Sequence, residues 1–384
     1  MGEGIKDKVA IIGMGCTKFG ENWEQSSEDM IINAAYEAYE DAGLGPKDIQ
    51  AAWVGTTTSG VAGTCLADPL KLRGIPITRV ENFCATAMDA LRNAVFGVAS
   101  GEFDIALALG FEKLKDSGLR GLPMSARHPV ISLGGTAPGY FALPAARHFA
   151  KFGTTKEHLA KISVKNHKNG ALNPKAHFQR EITLEQAMKA PIIAWPLGLF
   201  DCCPTTDGSA CAIICRKDMA KKFRDDYVLI KAMTLSVDSV MPGFRPGHDF
   251  LHWPATVDAG RMAYKQLGIT NPQKEIGMAE VHDCFTITEL LIYEDLGFCP
   301  KGAAKDYIDS GFFEREGELP VNPDGGLKSF GHPVGASGLR MIYEIYKQFQ
   351  GKAGKRQLKK KFELGLAHNL GGPPQVCSVA ILGR

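Results

Sequence analysis

Apolar positions along the chain fall into short continuous runs separated by stretches with helical spacing. Residues 9–13 (VAIIG) predict a short buried strand, and residues 51–54 another. Residues 104–110 (DIALALG) form a continuous apolar strand of the kind found in sheets covered on both faces. Between the first two strands, Met30, Ile31, Ala34, Ala35, Ala38 and Ala42 repeat at helical spacing. Ser26 stands there as N-cap with Asp29 in the first turn, and Gly43 supplies the stop. After Cys84, residues 85–101 predict a helix that is small or apolar on most faces, hence a buried one. Such alternation of strand and helix predicts an α/β layered protein.

The rhythm breaks between about residues 115 and 199. That stretch is rich in Gly, Pro, His and Lys, and its helical pieces, near 156–168 and 183–189, have no strands between them. It reads as an insertion lying over the sheet. Alternation resumes at residues 210–215. An internal repeat frames the whole. Ala38-Tyr39-Glu40-Asp41-Ala42-Gly43-Leu44 matches Ala263-Tyr264-Lys265-Gln266-Leu267-Gly268-Ile269, and in both copies Pro, acid-Ile and Ala-x-Val follow. A second pair sets Cys84-ATAMDA-Leu91-Arg92 against His332-PVGASG-Leu339-Arg340. Two α/β halves follow: residues 1–114 completed by 200–225, and 226–384, with 115–199 inserted. If the halves pack about a pseudo-twofold axis, Cys84 and His332 occupy equivalent helix-start positions and can meet near it.

Composition narrows the function classes. The 384 residues are 45% hydrophobic and 22% charged, an ordinary globular balance that excludes a disordered chain. Lys+Arg 44 against Asp+Glu 42 leaves +2, which argues against nucleic-acid or polybasic membrane binding. No apolar run reaches the roughly 18 residues a membrane span needs. The ten cysteines are scattered and form no CxxC pair, against structural zinc and thioredoxin-like chemistry. With a polar start and no leader-like segment, the expectation is a reduced, cytoplasmic protein.

Four side chains and one glycine stand out. Cys84 precedes a buried helix, whose N–H groups and dipole are expected to favour the thiolate and lower its pKa from about 8.5. The bland alternative is a small buried hydrophobe. His332, inside Gly331-His332-Pro333-Val334-Gly335, can take a thiol proton and donate to a carbonyl oxygen. His282-Asp283-Cys284-Phe285 ends the apolar run 278–281, pairing a second imidazole with a second thiol, while Asp283 orients the loop. A metal reading of that loop is weak, because no further Cys or His sits at ligand spacing. Gly371, in His368-Asn369-Leu370-Gly371-Gly372, offers a backbone N–H to an oxyanion, or is simply a turn. Gly13-Met14-Gly15 does not fit a nucleotide loop, and Asp207-Gly208 reads as a turn. Adjacent residues rarely share one face, which argues against a metal on Cys202-Cys203, and Pro246 and Pro254 argue against a helical i, i+4 metal pair at His248 and His252.

On these motifs the chain resembles the thiolase superfamily, and within it the branch of the thiolase domain of sterol carrier protein x. That branch bears His-Asp-Cys-Phe where ordinary thiolases have Asn-Glu-Ala-Phe. The usual C-terminal Cys-x-Gly is absent, Asn369-Leu370-Gly371 standing in its place. The resemblance implies duplicated α/β halves in an α-β-α-β-α core with an inserted loop domain, and CoA-dependent cleavage of a 3-ketoacyl-CoA, or the reverse condensation. It makes Cys84 the nucleophile, activated by His332, and Cys284 the acid/base thiol. His282 and His332 bind the enolate oxygen, and the Cys84 and Gly371 N–H groups the tetrahedral oxyanion. It implies no permanent metal or redox cofactor, coenzyme A as substrate, a homodimer or tetramer, and a small zinc-containing OB-fold partner protein. Another condensing enzyme of the fold (a ketoacyl-synthase or hydroxymethylglutaryl-CoA-synthase relative) and a silent acyl-CoA-binding subunit stay open, as does the acyl group.

Overall fold

The computed structural model describes residues 4–118, 122, 135–238 and 245–384. Its strands are β1 (Val9–Cys16), β2 (Ala51–Gly55), β3 (Ile77–Val80), β4 (Ile105–Glu112), β5 (Ile192–Ala194), β6 (Leu197–Gly198), β7 (Gly208–Arg216), β8 (Val228–Val237), β9 (Met278–Val281), β10 (Leu364–Gly371) and β11 (Val376–Gly383). The large sheet runs β3-β2-β4-β7-β1-β8-β11-β10-β9. This order is a palindrome about the β1–β8 join. Parallel β2–β4 mirrors parallel β9–β10, and antiparallel β4–β7–β1 mirrors antiparallel β10–β11–β8. Even β3 has its counterpart, a parallel bridge from Ala279 to Val321 at the far edge. The join itself is brief, Ala10 opposite Leu229 and Ile11 opposite Val228. The repeat read from the sequence is thus a duplicated fold, with Ala52 to Val54 on β2 and Ala279 to Val281 on β9.

Two equivalent helices, Thr86–Ala99 and Ser337–Gln350, lie between the half-sheets and touch strands of both. Their small and apolar residues are buried on nearly every turn, as a central layer requires. Helix Ser27–Ala42 covers β1 and β7 on one outside, and helix Pro254–Leu267 covers β8 and β11 on the other, which completes the α-β-α-β-α layering. The first begins as its sequence predicts: Ser26 caps Asp29 N–H, the Asp29 carboxylate accepts from Ser26 N–H, and Gly43 is left-handed at φ +69°. Gly13 and Gly15 serve this packing and not a nucleotide. A Cβ on either would run into the helix backbone at Ala38 and Ala34.

The interior of the insertion differs from expectation. A 16-residue helix, Ala137–Phe152, precedes the two expected ones, Lys156–Gly170 and Leu184–Lys189. Its prolines disguise it: Pro138 sits in the first turn, where its missing N–H costs nothing, and Pro144 is tolerated inside. No strand lies between the two expected helices, and β5 and β6 form a short hairpin after them. Residues 119–121 and 123–134 lie outside the described residues. Asp207 is more than a turn. Buried, it accepts from Leu114 N–H (2.7 Å), Lys115 N–H (2.9 Å) and Lys113 Nζ (2.8 Å), tying the start of the insertion to the start of β7.

Candidate active site

The chain leaves β3 through a tight turn before the Thr86–Ala99 helix. Ala85 N–H donates to Asn82 O and Thr86 N–H to Phe83 O, each at 3.1 Å, while Asn82 N–H returns to Thr86 Oγ1 at 2.8 Å. Phe83 takes φ +53°, a left-handed conformation costly for an aromatic residue, so Cys84 is held on a strained elbow. Gly371 and Gly372 press on this elbow. A Cβ on Gly371 would collide with Asn82 O, and one on Gly372 (φ +71°) with the Phe83 ring.

Burial pushes the Cys84 thiol up to about 12, and the Glu112 and Glu81 carboxylates add to it. The N–H groups of Gly372 and of Cys84 itself oppose them and lose. The thiolate expected from the helix N-terminus is therefore not the resting form. Cys84 lies two residues before the helix, and desolvation in an apolar surround outweighs the few N–H groups that reach it.

Opposite stand two neutral imidazoles. The His282 and His332 rings lie 5.1 Å apart, nearly perpendicular, and a ligating atom from each, with Cys84 Sγ, falls within a 4.8 Å mutual span. Burial holds His332 down at about 3 and His282 well below the ordinary histidine range, with the neighbouring imidazole lowering the latter further. Hydrogen bonds fix their tautomers differently. The Ser337 hydroxyl donates to Pro333 O (3.0 Å), so its oxygen accepts from His332 Nδ1–H (2.7 Å), and the lone pair is left on Nε2, which is buried without a partner. Asn369 Nδ2 donates to His282 Nδ1 (3.0 Å), which puts the His282 proton on Nε2. One imidazole is set up as a base and the other as a donor.

Cys284 follows β9 and lines the same cavity as Cys84 and His282. Its Sγ lies 3.6 Å from Thr288 Oγ1, its carbonyl accepts from Cys203 N–H (2.9 Å), and burial pushes its thiol far up. Asp283 fastens this loop to the one before His332. Its carboxyl accepts from Leu327 N–H (2.5 Å), Lys328 N–H (3.1 Å) and Asn166 Nδ2 (2.8 Å). The narrow cavity is further walled by Thr57, Phe83, Ala137, Phe141, Val334 and Gly372. Gly371 itself pairs with Val376 inside the sheet, and Gly372, one residue on, meets the cavity. Across the mouth, Glu112 gathers the N–H groups of Thr57, Thr58 and Ser59, each at 2.9 Å, and so shapes the Thr57 wall.

Sequence reasoning passed over Phe83, Asn369, Ser337, Phe141 and Gly372. A left-handed Phe has no sequence signature. Asn369 was visible in the His-Asn-Leu-Gly-Gly run, but its partner is 87 residues away.

Comparison with known proteins shows the family to which the whole chain is similar. The family model described as "Thiolase, N-terminal domain" matches residues 9–218, and "Thiolase C-terminal domain-like" matches 245–384. An acetyl-CoA acetyltransferase of Methanothermobacter thermautotrophicus is 40% identical over 98% of this chain and 99% of its own. Sterol carrier protein 2 of Oryctolagus cuniculus is 34% identical over 95% of this chain and 70% of its own. Among solved structures, one titled "Ltp2-ChsH2(DUF35) aldolase" superposes with a TM-score of 0.87 at 27% identity, covering 99% of this chain and 98% of that one.

Proposed function

Because the chain belongs to the thiolase family and is an acyltransferase that cleaves or forms 3-ketoacyl-CoA, we propose that Cys84 carries the acyl group and that His332, His282 and Cys284 divide the proton transfers. His332 Nε2 takes the Cys84 proton as sulfur attacks the 3-keto carbon. The N–H groups of Cys84 and of the Gly371-Gly372 turn receive the oxyanion, with Gly372 the better placed. Each such donor is worth about 2.7–4 kcal/mol in other acyl-transfer sites. Carbon–carbon cleavage then releases the enolate of the shorter acyl-CoA. Its oxygen accepts from His282 Nε2–H and from the proton now on His332. Cys284 delivers its proton to the enolate carbon and, as thiolate, removes the proton of incoming CoA. CoA sulfur displaces the acyl group, and Cys84 recovers its proton from His332. No step in this sequence calls on a bound metal or redox group.

The observation that carries this reading is the convergence of Cys84, His282 and Cys284 on one cavity, with His332 against His282 and within ligating reach of Cys84. Intact-protein mass spectrometry after exposure to acetoacetyl-CoA tests it. An acetyl adduct at Cys84, lost on Cys84→Ala, is expected; an adduct that persists in the variant overturns it. The acetyl-CoA acetyltransferase relative favours a short acyl chain. A second reading, carbon–carbon cleavage of aldol type without an acyl-enzyme, draws on the aldolase neighbour. It predicts turnover of a 3-hydroxyacyl-CoA by the Cys84→Ala variant.

Finer assignments also belong here. The domain division 1–114 with 200–225, 115–199 and 226–384 is supported by the palindromic sheet. A homodimer is supported by β3, an edge strand with no further partner strand among the described residues. A partner subunit is supported by the neighbour named together with one. A reducing, cytoplasmic setting is supported by ten free thiols. No helix among the described residues is long and apolar enough to cross a membrane.

A further inference from the structure

The segment leading into helix Pro254–Leu267 gathers three ligating side chains that the acyl-transfer chemistry leaves unused. His248, Asp249 and His252 each offer one nitrogen or oxygen atom, and all three atoms lie within 4.8 Å of one another. The two imidazole rings are 5.2 Å apart, and His252 Nδ1 lies 3.0 Å from Asp249 Oδ1. His248 Nε2 is sealed from water and has no hydrogen-bond partner. Flanking prolines argued against a helical i, i+4 pair. The chain converges by another route, a turn in which Phe250 takes φ +61° and sets its ring edge-on to His248.

The charge balance suits a dication. Arg245 is paired with Asp238, and Lys301, whose ammonium donates to Leu251 O, is paired with Glu294 and Asp295, which leaves the Asp249 carboxylate beside the two imidazoles. Asp249 and His252 are 40% and 41% exposed, so water can complete the coordination and His252 can turn inward. Zinc bonds of about 2.0–2.2 Å require that small contraction.

We propose that His248, Asp249 and His252 form a binding site for a divalent transition metal of the zinc type, separate from the catalytic cavity. Two imidazoles and one carboxylate with open positions are a donor set such ions accept. The metal clamps the turn that positions the following helix. Trp253 N–H there donates to Asp295 (2.7 Å), and Thr256 Oγ1 lies 2.9 Å from His368 Nε2.

Cobalt(II) and zinc(II) titrations of the full-length protein test the site. One equivalent of cobalt is expected to bind with a nitrogen/oxygen ligand-field spectrum, to be displaced by zinc, and to raise the melting temperature. His252→Gln and Asp249→Asn, both at exposed side chains and therefore tolerated by the fold, are each expected to weaken binding about tenfold or more, with thiolysis unchanged. Three results overturn the proposal: no bound equivalent, affinity unchanged in both variants, or a thiolate-to-cobalt charge-transfer band, which places the metal on Cys84 instead.

Discussion

At Cys84 sulfur holds its proton at neutral pH, because burial lifts the thiol to about 12 while His332 is held near 3. The thiolate fraction below such a pKa grows tenfold with each pH unit, so alkylation of Cys84 by iodoacetamide is expected to accelerate steadily from pH 6 to 10. A rate already level near pH 7 would mean a preformed thiolate–imidazolium pair and would contradict the assigned ionisation. The second thiol is separable from the first by isotope chemistry. Cys284→Ala is expected to keep acylation of Cys84 yet lose exchange of the α-protons of acetyl-CoA into deuterated water; undiminished exchange removes Cys284 from the proton path. Both tests bear on single side chains whose partners are fixed: Ser337 behind His332, Asn369 behind His282, Thr288 beside Cys284.

Between elements, the site depends on loops pressed together without spare room. The end of β10 meets the turn after β3 where Gly372 faces the Phe83 ring. Gly372→Ala adds a methyl group at φ +71° and shifts the N–H that faces Cys84. We expect a fall in kcat/KM of about 10²-fold, the equivalent of one lost donor, with cooperative unfolding retained; wild-type kinetics would show that this N–H is idle. Asp283 has a structural duty of the same kind. Removing it as Asp283→Ala strands the N–H groups of Leu327 and Lys328, at about 1–3 kcal/mol each. Urea unfolding should register that loss; an unchanged midpoint would dismiss the clamp between the two loops.

Across the whole molecule, the middle helix layer is fixed by charge as well as by apolar contact. Arg340 is fully buried on helix Ser337–Gln350, between Glu280 of β9 (2.6 Å) and Asp324. Arg340→Met leaves two carboxyls facing each other in the core and is expected to cost about 3–5 kcal/mol of stability by chemical denaturation. A variant as stable as the parent would mean that the acids take up protons at little cost. This layer also explains what was legible beforehand. The Ser26 cap, the Gly43 stop, the repeat of Ala52–Val54 at Ala279–Val281 and the apolar run of β4 were readable, because each depends on neighbours within a few residues or on a copied pattern. Four candidate side chains were readable because reactive residue types beside Gly or at strand ends are visible in one dimension. The 137–152 helix was hidden by its prolines, and the ionisation of Cys84 was misjudged because local N–H groups are seen in sequence and burial is not. Sequence alone determined which residues are repeated and which carry reactive atoms. Only the tertiary structure decided which imidazole nitrogen bears the proton, which glycine faces the sulfur and how far desolvation lifts the thiol, since each depends on atoms brought together from distant parts of the chain.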